Sequence, residues 1–107
     1  MQIIVQIASN GFNIGITKNS QYTPIVLQNI NYQDAVTAII RNKYSSSDVE
    51  AIVNNYLLDA ENEKYKKEFD EMQEYRLEAK SIAKKVVAFI QDNDLVNKPD
   101  GVYEIED

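Results

Sequence analysis

The sequence predicts an α+β fold: a small N-terminal antiparallel sheet, then a helical hairpin and one long C-terminal helix. Three observations carry this. Apolar residues alternate with period two through residues 2–17, around an Asn-Gly pair. After Asn31 the apolar period lengthens to that of a helix. From about Glu61 to about Gln91 the chain holds neither Gly nor Pro. At 107 residues there is room for one domain with one modest core. Residues 1–107 therefore read as a single domain, with hairpin and sheet over 1–29, a helical region over 31–91 and an acidic tail over 92–107.

In the hairpin, Ile3, Val5 and Ile7 alternate with Gln2, Ile4 and Gln6, and Phe12, Ile14 and Ile16 with Asn13, Gly15 and Thr17. Ser9-Asn10-Gly11 lies between them. Asn-Gly favours a type I′ turn, whose two central residues need positive φ. Thr23 to Gln28 is rich in β-branched residues and predicts a third strand, which Pro24 places at an edge or at a strand start. A third strand supplies support that a lone hairpin lacks.

Tyr32, Val36, Ile39 and Ile40 share one helical face, with Asn31 as N-cap. Ser45-Ser46-Ser47 breaks that helix, and Ser47 with Glu50 reads as a capping box. Val49, Ile52, Val53, Tyr56 and Leu57 then mark a second amphipathic helix ending near Asp59. In the third, Tyr65, Phe69, Met72, Arg76, Ala79, Ala83, Val86 and Ile90 alternate spacings of four and three, as in a coiled-coil seam. Acids dominate its first half and Lys80, Lys84 and Lys85 its second, matching the helix dipole. Thirty residues at 1.5 Å rise give a rod of roughly 45 Å. A compact body of this size has a radius of gyration of about 13 Å, so the rod is longer than such a body easily covers, and either the two shorter helices fold back along it or another chain does. In the tail, Lys98-Pro99-Asp100-Gly101 reads as a turn. Val102-Tyr103-Glu104-Ile105 is either a last strand returning to the N-terminal sheet or a loose end.

The net charge is −6, with residues 1–43 at +2 (Lys18, Arg41 and Lys43 against Asp34) and the rest at −8. That balance offers no general attraction to phosphate backbones or anionic membranes. No apolar run is long enough to span a bilayer. The N-terminal stretch lacks the basic and apolar regions of a signal peptide. The chain contains no histidine and no cysteine, so the commonest general base, thiol chemistry and soft-metal ligation are all missing. Three short matches to reactive motifs are better explained otherwise. Ser81-Ile82-Ala83-Lys84 copies the S-x-x-K string of serine β-lactamases without that family's other boxes, inside a charged helix. Asp92-Asn93-Asp94 starts like an EF-hand loop, but Asn97 and Tyr103 stand where Gly and a bidentate Glu are needed. Asp70, Glu74 and Glu78 line one helical face, as a solvated stripe does. The expectation is a chain that is not an enzyme, with no cofactor and no metal.

Protein contact is the remaining chemistry. Seven tyrosines stand beside no tryptophan, and Tyr22, Tyr32 and Tyr103 fall in loops or ends where they serve either contact or ordinary packing. The seam residues Tyr65, Phe69, Met72, Arg76, Ala79 and Ala83 are the expected interface. Arg76, its polar member, either reaches out to solvent or sets register by pairing with Glu74 or Glu78 of another helix.

The stretch Ile39 to Ile52, with its Arg41-Asn42-Lys43-Tyr44-Ser45-Ser46-Ser47-Asp48 centre, is followed by Glu68-Phe69, Tyr75 and Ala79-Lys80. Over residues 39–83 this resembles small phage and prophage proteins from the virion and tail modules of phages infecting gut bacteria. Those carry a basic-x-basic-Tyr-Ser-x-x-Asp-Glu segment before a helix with an aromatic pair and a Lys-rich end. Val49 replaces the usual acid here, and Asn54-Asn55 a more basic run. The resemblance implies a phage structural or assembly protein, a head or tail accessory component in the virion or the host cytoplasm. Its partners would be copies of itself or other virion proteins, in a homo-oligomer or larger assembly. The alternative is an anti-defence inhibitor that binds a host protein through an acidic helix. The same segment also has a plain physical reading, as the corner of an αα-hairpin.

Overall fold

A computed structural model describes residues 1–8, 11–97 and 101–105. Strands β1 (Gln2–Ala8), β2 (Gly11–Lys18) and β3 (Gln21–Leu27) are followed by helices α1 (Tyr32–Lys43), α2 (Ser46–Leu58) and α3 (Glu63–Asp92). A short 3₁₀ turn at Leu95–Asn97 leads to β4 (Gly101–Ile105). The sheet is antiparallel with order β3-β2-β1-β4. The fold is α+β, and the segment left open between strand and loose end forms the fourth strand, paired with β1 through Val5↔Tyr103.

Period-two alternation sets the sheet's faces. Ile3, Val5, Ile7, Ile14, Ile16, Ile25 and Leu27 point inward and are buried. Gln6, Pro24, Val26 and Val102 lie on the open face. Pro24 sits on β3, an edge strand, where its missing N–H costs the ladder least. The predicted Ser9-Asn10 turn lies outside the described residues. Gly11 opens β2 with φ +127°, and a Cβ there would lie 3.1 Å from the Leu27 carbonyl oxygen. The β2–β3 connection puts Asn19 (φ 52°) and Ser20 (φ 65°) in the left-handed region, as a type I′ hairpin requires.

Ala35, Val36, Ile39 and Ile40 of α1 join the core, together with Ala79, Ile82, Ala83, Val86, Val87 and Ile90 of α3. Leu95, in what reads from the sequence as tail, is fully buried among them. Asn31 caps α1 through its side chain, which accepts from the Asp34 N–H at 2.8 Å. Asn62 caps α3 in the same way through the Tyr65 N–H.

The second helix begins earlier than the sequence reading has it. Its capping box is Ser45 with Asp48, not Ser47 with Glu50. The Asp48 N–H donates to Ser45 Oγ, and the Ser45 N–H donates to Asp48 Oδ2, each at 3.0 Å. Both serine–acid pairs have the required spacing. Tyr44 already turns extended as the C-cap of α1 (φ −124°), so Ser45 is the first residue free to cap the next helix.

Candidate interaction surface

The long helix divides into two environments. From Tyr75 to Ile90 it packs on the sheet and α1. From Glu63 to Glu74 its apolar neighbour is α2, and the molecule stretches to 52 × 25 × 19 Å. Residues 45–75 thus form an arm in which α2 runs out and α3 runs back. No residue of α2 is fully buried.

The arm's internal packing uses the first half of the predicted seam. Phe69 stacks on Tyr56 with ring centroids 4.1 Å apart and planes 7° from parallel. Tyr65 is half-buried and Met72 fully buried. Further along, Ala79 and Ala83 are buried in the main core. Of the six expected interface residues, Met72, Ala79 and Ala83 are therefore covered within the monomer, while Tyr65, Phe69 and Arg76 stay half-buried.

The motif at residues 41–48 builds the corner between α1 and α2. Arg41 Nη1 donates to the Tyr44 carbonyl at 3.4 Å. Lys43 Nζ lies 5.5 and 5.0 Å from the ring centroids of Tyr44 and Tyr75, which meet edge to face at 5.6 Å. The Tyr75 hydroxyl donates to the Ile39 carbonyl at 2.9 Å, tying α3 to α1. Burial, with Glu78 and Tyr44 close by, raises the Tyr75 phenol above its ordinary pKa and keeps it a donor. Beside this corner opens a cleft of about 410 Å³, floored by Ile16, Ile39 and Ile82 and crossed by a Lys18–Glu78 ion pair at 2.8 Å.

Two surfaces were not foreseen from the sequence. The first is the tip of the arm. Leu57 and Leu58, at the end of α2, are 74% and 83% exposed. Asp59, Glu61 and Glu63 follow them in the turn into α3, all exposed, and none has an ion-pair partner among the described residues. Residues 45–75 hold nine acids and three lysines, net −6, while the rest of the sequence holds eight of each sign. The whole net charge thus resides in the arm. Two of its lysines are already engaged within the helix, Lys66 with Asp70 at 2.7 Å and Lys67 with Glu71 at 4.0 Å.

The second surface is a recess of about 250 Å³ at the base of the arm. Its apolar floor includes Val36, Ile40 and Val49, and its basic wall is Arg41, Arg76 and Lys80. None of the three cations has a carboxylate partner among the described residues. The seam arginine is thus part of a basic, partly apolar hollow. Its sequence signal was available, since Arg76 and Lys80 are four apart on α3, but the contribution of Arg41 depends on tertiary packing.

Among the described residues no group of three or more His, Asp or Glu is gathered as a metal site would need, and no helix is long and apolar enough to cross a membrane. Tyr22 is 64% exposed and lies over Gly15, where a Cβ would come within 2.6 Å of its ring. Tyr103 packs half-buried on the inner face of the sheet, and Tyr32 is 38% exposed. No known protein family, curated protein or solved structure matches this chain.

Proposed function

We propose that this protein is a non-catalytic packing subunit, a structural or assembly component of a phage particle such as a head or tail accessory. The observation that carries the reading is the arm: a braced helical hairpin extending beyond the sheet core, with two bare leucines at its end. Burying a leucine side chain is worth about 1.5–3 kcal/mol, so exposing two side by side leaves a substantial gain for a partner to realise. The phage setting rests on the resemblance over residues 39–83. The residues of that motif also serve the α1–α2 corner, so a common corner geometry accounts for it as well.

The test is quantitative mass spectrometry of density-banded particles from a host strain that carries the coding sequence. A fixed copy number per particle supports the reading, and absence from intact particles overturns it. A second reading, a cytoplasmic inhibitor of a host protein, is favoured by the concentration of acidity in the arm. It predicts a host-protein complex in infected cells and none of the chain in particles.

A further inference from the structure

We infer that the acidic leucine tip of one molecule docks into the basic recess of a second copy, so that the chain assembles head to tail. The inference rests on the reading of the protein as a packing subunit and names the partner and both faces.

The two surfaces are complementary in each respect that governs docking. The tip offers bare Leu57 and Leu58, and the recess offers an apolar floor at Val36, Ile40 and Val49. The tip carries Asp59, Glu61 and Glu63, and the recess Arg41, Arg76 and Lys80. Among the described residues, none of the six charged groups has an ion-pair partner within the monomer. Opposite charges around an apolar anchor steer encounter and fix orientation. One molecule cannot make this contact with itself. Glu63 and Arg76 are thirteen residues apart on one continuous helix, about 20 Å along its axis. Tip-to-tip pairing is disfavoured, because it would bring two arms of net −6 together. The contact is therefore heterologous. Each copy keeps one tip and one recess, and repetition gives a ring where the rotation closes or a filament where it does not.

The experiment is light scattering over a concentration series with three proteins: wild type, a tip variant (Leu57→Ser with Leu58→Ser) and a recess variant (Arg41→Glu with Lys80→Glu). All four altered side chains are exposed, and circular dichroism melts check that each variant folds. The wild type should grow in mass with concentration, and ~0.5 M salt should oppose that growth. Each variant alone should stay monomeric, with self-affinity weaker by at least about tenfold. An equimolar mixture of the two should form a 1:1 dimer and nothing larger, because one intact tip meets one intact recess. Wild type that stays monomeric at all concentrations overturns the inference, while the packing-subunit reading survives with a foreign partner. Oligomers that persist in either variant, or variants that fail to complement, place the contact elsewhere and overturn it too.

Discussion

Phe69 and Met72 sit one helical turn apart, yet they predict different outcomes. Met72 is wholly buried, so Met72→Ala should cost about 2–5 kcal/mol. Phe69 is half-buried against Tyr56, so Phe69→Ala should cost less, about 1–2 kcal/mol. Leu77, 67% exposed on the same helix, should tolerate alanine within about 0.5 kcal/mol. Urea midpoints for the three variants check the ranking, and equal losses would mean that the seam is not packed as described. Period alone placed all the seam residues on one stripe. It could not say which would be covered, because that depends on how far α2 and the sheet extend along α3. Arg76 shows the same limit: its seam position was legible, but its neighbours Arg41 and Lys80 include one from another helix.

At the level of elements, α2 owes its start to a pair of reciprocal hydrogen bonds at Ser45 and Asp48. Ser45→Ala should cost about 0.5–2 kcal/mol, whereas Ser47→Ala should be close to neutral. Thermal melts of the two variants discriminate between the alternative boxes. The same pair makes a prediction about acid. The Ser45 backbone N–H, with a smaller contribution from its side chain, lowers the Asp48 carboxyl below its ordinary value of 3.8. A lowered folded-state pKa means the contribution is complete above 3.8 and disappears as pH falls through the lowered value. An NMR titration should therefore find the Asp48 midpoint below 3.8, and Ser45→Ala should move it upward. Strand alternation, the Asn31 cap and the unbroken third helix were legible because each is a local rule obeyed over several residues. The choice of box was not, since Ser45/Asp48 and Ser47/Glu50 fit one spacing equally well. The β2–β3 turn was missed because Asn19-Ser20 supplies two positive φ values without a glycine to announce them.

Over the whole molecule, cohesion is uneven. The sheet, α1 and the second half of α3 share one buried core, while the arm rests on a single fully buried residue, Met72, with half-buried neighbours and one stacked aromatic pair. Hydrogen exchange should find the α2 amides opening at lower free energy than those of β1, β2 and residues 79–90. Uniform protection across the two regions would contradict that division. The sequence tally showed the acidity lying beyond residue 43 but not its confinement to the arm, because the boundaries that matter, residues 45 and 75, come from the fold. Closure of the sheet has its own consequence. Ile3 pairs with Ile105, so the first strand and the last are neighbours although nearly the whole chain lies between them. On the ribosome, at about 5–20 residues per second, β1 must wait roughly 5–20 s for its second neighbour to be made. Through that interval one flank of β1 has no native strand to bond, and a nascent chain beside it on the same message presents an identical flank. Crowded translation of this protein should therefore be its most aggregation-prone moment, and slowing initiation so that nascent copies are spaced apart should raise the soluble yield.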